Sequence, residues 1–409
     1  MARLRSKTGT YDQGIIASSS APSAAFVGQI WFNNATGVTY QWTTDGASSF
    51  WLDISSSGIG TSATRGVDFV GDIDPHKATN LGVVGSVYYN REKNRHFVCT
   101  TATSGSQVWS GRYAGAGGTV YDYLSGSTYY RVHTFLTSGT FSVEDAMNVD
   151  FVVVAGGGSG GTSYAAGGGA GGFRTGTGLA VTSAQNYSIT IGTGGAGVPA
   201  NTDGNNGSNS VFSPITATGG GGGGGQGRAG AAGASGGGGG GAGTAGGGGI
   251  DNTGHTLGLV THQGRDGGTG YVSGVRAGAG GGGAGAVGVN GTKSGSTAIP
   301  GAGGAGTNIV MGLSNTNSTV LLALIGAGVV SGSYRYLAGG GGGGSNEAAG
   351  NVTVAVGGIG GGGTAADGTT NSTVTGGTPN TGGGGGAAHD GANSGAGGSG
   401  IVIIRYAIT

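Results

Sequence analysis

The chain contains a single cysteine, Cys99, so no intrachain disulfide can form, and the residue reads as a small buried hydrophobe. Proline is almost as scarce. Its 6 residues in 409 exclude a collagen composition. Charged side chains make up only 8% of the chain and the formal net charge is zero. A neutral chain gains little from counterion release, so neither nucleic acid nor an anionic membrane surface is an expected partner. The longest aliphatic stretch, Val320-Leu-Leu-Ala-Leu-Ile325, falls far short of the roughly 20 residues that span a bilayer, so no membrane insertion is expected. The opening residues carry no apolar segment, and no secretory signal is read there. A protein made in this way in the cytoplasm acts outside the cell when lysis releases it.

Glycine fills the space these absences leave, with 107 residues. Chains this rich in glycine are commonly flexible linkers. Here the glycine tracts alternate with strand-like apolar runs such as Phe151-Val-Val-Val154 and Ile401-Val-Ile-Ile404, which linkers lack.

The first 60 residues have ordinary composition. Ile30-Trp-Phe32, Val38-Thr-Tyr-Gln-Trp42 and Phe50-Trp-Leu-Asp-Ile54 are separated by Asn-Ala-Thr-Gly and Asp-Gly turns, a pattern that predicts a small antiparallel meander. The pattern recurs. Gly85-Ser-Val-Tyr-Tyr-Asn90 parallels Gly28-Gln-Ile-Trp-Phe-Asn33, Phe97 parallels Tyr40, and Trp109 parallels Trp51. Two β modules, 1–60 and 61–116, are therefore expected. Residues 117–218 hold further strand patterns, among them Tyr129-Tyr-Arg-Val-His-Thr-Phe135 and Tyr187-Ser-Ile-Thr-Ile191, and predict a β-sandwich-like base. From 219 to 409 glycine dominates, with runs of four or more at 219–225, 236–241, 246–249, 280–283, 339–344, 360–363 and 382–386.

A glycine run has no side chain to bury and loses the most backbone entropy on ordering. It can still build a solid if many runs lie side by side as extended three-fold helices of the polyproline II type. Such helices make no internal hydrogen bonds, and without a Cβ they approach closely enough to bond to one another. Each bond contributes only about 0.5–1.5 kcal/mol net, so many runs must cooperate. Alanine or serine is expected only where its Cβ faces solvent or an adjacent layer. The fold class that follows is all-β: two small modules, a sandwich-like base and a polyglycine II lattice, with essentially no α-helix.

Little in the sequence points to catalysis. Gly-x-Gly-x-x-Gly recurs, but no strand–helix unit follows it, and no Walker lysine follows any tract. None of the six histidines shows zinc spacing, and His255 with His262 reads as a solvated loop pair. His133, inside an alternating strand, reads as a structural hydrogen-bonding residue. Asp266, Glu347, Asp367 and Asp390 fall in separate inter-tract loops, and a glycine lattice offers no apolar cleft to shift a carboxyl pKa. No enzyme activity, no metal and no cofactor are expected. The loops suit binding better. They carry the region's few aromatic and charged side chains, including His255, His262, Arg265, Tyr271, Arg276, Tyr334, Arg335, Tyr336, His389 and Asp390.

Tyr130-Arg-Val-His-Thr-Phe135, Phe151-Val-Val-Val-Ala-Gly-Gly-Gly158 and the closing Gly-Gly-Ser-Gly-Ile-Val-Ile-Ile-Arg-Tyr406 resemble the glycine-rich domain proteins of tailed bacteriophages. The tracts also resemble the polyglycine II tip adhesins of T-even-type long tail fibres. The resemblance covers about residues 125–409 and implies a virion protein of the tail fibre. Its inter-tract loops would recognise a bacterial surface receptor, a polysaccharide or an outer-membrane protein. The alternative is a structural tail or collar connector with the glycine domain as a rigid spacer. The N-terminal modules depart from the tip-adhesin pattern. Their aromatics Trp31, Trp42, Trp51, Tyr88 and Trp109 are expected to attach the chain to other phage tail or fibre proteins, in an assembly that allows a homotrimer.

Val149–Ala155 opens the glycine-rich region and Ile401–Tyr406 closes it, and the two are expected to pair. Ile403→Asp should then destabilise the domain by more than about 2 kcal/mol, the scale of an unpaired buried charge. Thermal denaturation measures this, and an unchanged melting temperature would refute the pairing.

Overall fold

The structure, a computed structural model, describes residues 16–23, 29–33, 35, 38–44, 49–53, 68–93, 95–111, 113–250, 263–345, 354–366, 374–389 and 391–408. Two compact units divide the chain, Met1–Tyr113 and Ala114–Ala407.

The N-terminal unit contains two four-stranded sheets of the same design. One runs Ile16–Ser18, Ile30–Asn33, Val38–Thr44, Ser49–Asp53, and the other Phe69–Gly71, Val87–Asn90, Arg95–Thr101, Val108–Gly111. In each, the first pair is parallel and the rest antiparallel. The registers match the sequence repeat: Trp31 pairs with Tyr40 as Tyr88 pairs with Phe97, and Trp42 pairs with Trp51 as Cys99 pairs with Trp109.

The aromatics expected to attach the chain are largely spent inside these modules. Tyr88, Phe97, Cys99 and Trp109 form the core of the second. In the first, Trp31 is buried, with its ring stacked 4.7 Å from Tyr40 and edge-on at 5.6 Å to Trp51, while Trp42 and Trp51 are half-buried and meet at 5.1 Å. The number of aromatics therefore needs no partner to explain it. A small sheet has little aliphatic surface to bury, and large rings supply its core.

The second unit is built on two antiparallel five-stranded sheets. The first orders Thr119–Ser125, Thr128–Phe135, Ile401–Ala407, Met147–Val154 and Phe173–Val181. The second orders Ile215–Ala217, Ser210–Phe212, Gln185–Thr190, Gly139–Val143 and Gly115–Ala116. The closing strand thus enters the middle of the first sheet, where Ile403 pairs with Val152 and Ile404 with Phe151. Alternation then sorts the side chains. Phe151, Val153, Val402 and Ile404 face the second sheet. Val152, Val154, Ile401 and Ile403 face the opposite way, into a second core. Both apolar runs are unbroken because both faces of this sheet are covered.

The described residues are nearly all β, as expected, and the cover on that second face is the one helix among them. An α-helix, Asn315–Leu324, buries Leu321 and Leu322 there, beside Met311 and Leu337. The Ser314 side chain caps its start by accepting from the Asn317 N–H at 3.3 Å. Cross-strand ion pairs fix the sheet register. Arg405 pairs with Asp150 directly opposite, donates to the Tyr123 hydroxyl at 2.6 Å, and lies 4.4 Å from the Tyr130 ring centre. Arg131 grips the opposite Asp122 through two bonds of 2.8 Å.

Beyond the sheets, the strands run directly into glycine tracts. Met147–Val154 continues as 155–161, and the chain returns through 165–172 into Phe173–Val181. Tract 165–172 is bonded to six other tracts, with a period of three. Its N–H groups donate to 218–225 from residues 166, 169 and 172, to 277–284 from 167 and 170, and to 381–388 from 168 and 171. Its carbonyls accept from 155–161, 234–241 and 337–344 in the same rotation. That is the hexagonal packing of three-fold helices, and it pairs the enclosed peptide groups without a β-ladder.

Where the acceptor is not a backbone carbonyl, Asx side chains serve. Asp203, Asn206 and Asn209, each three residues apart, accept from the N–H groups of Gly225, Gly222 and Gly219 at 2.7, 2.8 and 2.9 Å. Asp266, expected in a loop, accepts from Gly249 at 2.6 Å. Alanine, too, enters the lattice interior: Ala165, Ala355, Ala365 and Ala387 meet in a small buried cluster of their own.

The lattice makes a sharp demand on glycine. A Cβ on Gly168 would lie 2.2 Å from the Gly158 carbonyl oxygen, whereas one on Gly248 would meet nothing within 4 Å. Gly168→Ala should therefore lower stability by more than about 2 kcal/mol, as overpacking against immovable backbone does. Gly248→Ala should leave it unchanged or raise it by roughly 0.5 kcal/mol. Calorimetric melting of the two variants separates these outcomes, and equal effects would refute the close packing.

His133 is structural, as expected. Its Nδ1 donates to the Gly117 carbonyl at 2.7 Å, since a carbonyl can only accept, and its ring stacks on Tyr406 at 5.6 Å. Burial lowers its pKa to about 4, against the opposing effect of the Gly117 bond. Between pH 4 and 6.5 the unfolded chain thus binds a proton that the folded chain refuses. Stability should fall as pH drops through this window, by up to about 3 kcal/mol. His133→Gln should flatten the slope of denaturation free energy against pH by about one proton; an unaltered slope would refute the assignment.

Candidate binding face

Tracts reverse direction at each turn, so the turns divide between two ends of the lattice. One end is continuous with the sheets. At the other, distal end lie the turns 162–164, 199–201, 226–228, 242–244, 271–276 and 292–299, together with His389.

The turn 162–164 joins the tract that leaves Met147–Val154 to the tract that leads into the edge strand Phe173–Val181. Its backbone is left-handed at two successive positions, Ser163 at φ 68° and Tyr164 at φ 58°. Non-glycine residues rarely adopt this region, and bulky ones least of all. Ser163 is buried and Tyr164 is half-buried. Neighbouring turns fix the backbone here: Ser163 N–H donates to the Ala388 carbonyl at 3.2 Å, and Gly241 N–H donates to the Tyr164 carbonyl at 2.9 Å. The Thr162 hydroxyl donates to the Pro199 carbonyl at 2.8 Å, and the Ser163 hydroxyl accepts from Asn201 N–H at 3.2 Å.

Two side chains converge on the Tyr164 ring. His389 meets it edge-on, with ring centres 5.5 Å apart, and the Arg276 guanidinium lies 5.8 Å from its centre. Arg276 is held in the hairpin Tyr271–Val272/Arg276–Ala277. A second cation–aromatic pair stands on the adjacent hairpins, where Lys293 lies 5.9 Å from the Tyr271 ring and its Nζ donates to the Ser273 carbonyl at 3.4 Å. Arg228 completes the polar rim, paired with Asp203 at 3.1 Å and donating to the Asn201 carbonyl at 2.6 Å.

The structure thus brings together Tyr271, Arg276 and His389 from the expected binding residues, and adds Tyr164 and Lys293. It separates the rest. Tyr334, Arg335 and Tyr336 form one strand of a hairpin at the sheet end, just before Leu337 enters the core beside the helix. There the Arg335 guanidinium donates to the Ala327 and Gly328 carbonyls at 2.9 and 3.0 Å, which ties down the chain beyond the helix end. Arg265 lies within a lattice tract, where its N–H bonds to Gly283 and its carbonyl to Gly236. His255, His262 and Asp390 lie outside the described residues. Tyr164 had one sequence signal: Thr162-Ser-Tyr164 is the sole break between two glycine-rich tracts.

Among the described residues, no group of three or more His, Cys, Asp or Glu side chains is placed to hold a metal ion. No described helix is long and apolar enough to cross a membrane. No curated protein matches the chain. Residues 136–407, which take in most of the sandwich and all of the lattice, match the family described as a glycine-rich domain, and the chain belongs to that family.

Proposed function

We propose that the chain is an adhesin of a tailed-bacteriophage fibre, which binds a bacterial surface receptor through the distal face while its N-terminal unit attaches it to other virion proteins. The observation that carries this reading is Tyr164. In a chain of 107 glycines, the one turn between the two central tracts calls for glycine on backbone grounds and carries a tyrosine instead. A strained, half-exposed aromatic at the centre of a rigid face supports a role for its side chain in binding. The lattice holds the turns in place before any ligand arrives, which lowers the entropy cost of association.

Tyr164→Gly tests the reading without the usual confusion between misfolding and loss of function. It relieves roughly 1 kcal/mol of left-handed strain, so the melting temperature should hold or rise. Sedimentation of labelled full-length chain with a panel of bacterial strains should show wild-type binding to at least one strain, reduced at least about tenfold by Tyr164→Gly. Binding unaffected by the substitution, or absent from every strain, would replace the adhesin with a structural connector.

A further inference from the structure

We infer that the ligand of the distal face is a polysaccharide; this rests on the adhesin reading and narrows its receptor to one chemical class. The face carries two aromatic rings on separate turns, Tyr164 and Tyr271, and each has nitrogen donors beside it, Arg276 and His389 for the first and Lys293 for the second. A pyranose ring presents a flat row of C–H groups on one face and hydroxyls around its rim. An aromatic platform takes the first, and planar or ammonium donors next to it take the second. Two such platforms suit successive residues of a repeating polymer better than a single sugar.

The surroundings of the platforms support the same class. The turns around them are short and carry hydroxyl and amide side chains, Asn201, Thr244, Ser273 and Ser294 among them. In the described distal turns, Val272 is the one strongly exposed large hydrophobic side chain, and the other such residues of this unit lie along tract sides or at the sheet end. A stable protein interface covers about 800 Å² on each partner around an apolar centre, and the described residues of this face offer no such centre. A rigid, shallow and polar face with isolated rings loses little on meeting a hydroxylated polymer, whose hydrogen bonds it can replace one for one.

The test uses full-length protein and a strain that binds it in a Tyr164-dependent manner. Cells are treated with periodate, which cleaves vicinal diols, or with proteinase K, and hot-phenol-extracted polysaccharide from the same cells is added as competitor. Periodate should abolish binding, proteinase K should spare it, and the extract should compete. Tyr271→Ala should weaken binding to the extract by roughly tenfold. Binding that survives periodate, is lost to proteinase K and is indifferent to the extract would overturn the polysaccharide while leaving the adhesin reading intact. Failure of the adhesin reading shows earlier and separately, as the absence of any Tyr164-dependent strain.

Discussion

Every enclosed peptide group must find a partner, and the second unit meets that demand in two ways at once. In the sheets, N–H and C=O groups point to two sides and strands pair in ladders. In tract 165–172 they point in six directions, and six tracts answer them. The change of rule falls at the point where Met147–Val154 becomes 155–161 and Phe173–Val181 emerges from 165–172. Side chains are present in the sheets because hydrophobic burial drives that part. They disappear in the lattice because backbones there lie too close for a Cβ, as at Gly168. The sandwich and its helix give the lattice a base that glycine could not assemble through burial alone.

Much of this was legible in the sequence because some signals have one physical reading. Phe151–Val154 and Ile401–Ile404 are apolar without alternation, which means a strand covered on both faces, and two such strands in one domain find each other. The module repeat was legible because paired aromatics must occupy equivalent register positions. Other features left weaker traces. The lattice begins at 155, well before the long glycine runs, because a tract needs glycine only where its neighbours press. Asp203-Gly-Asn-Asn-Gly-Ser208 meets that need with two glycines three apart. The helix leaves little trace in the sequence because Thr316, Thr319 and Val320 are β-branched residues that read as poor helix formers. Its stability comes from what Leu321 and Leu322 touch, which no local pattern reveals.

The candidate binding residues were the least legible, for a geometric reason. A loop's end of the lattice depends on how many tracts precede it, and each misplaced turn reverses the answer. Tyr334–Tyr336 and Arg276 look alike in sequence, as aromatic or basic residues beside glycine, yet they stand at opposite ends. Tyr164 sits in a turn too short to look like a loop at all. Its left-handed backbone is visible only in three dimensions.

The position of the last strand has a consequence for how the protein is made. Ile401–Ala407 lies at the centre of the first sheet, and the tract 381–388 just before it bonds directly to 165–172, more than two hundred residues upstream. Neither the sheet nor the lattice can close until residues 381–407 have emerged from the ribosome. Assembly from contacts this distant in sequence is slow, since the ordering of long loops precedes most of the stabilising bonds. The unit's central strand is thus the last of its strands to be made, and the sheet is joined across its middle only when that strand arrives.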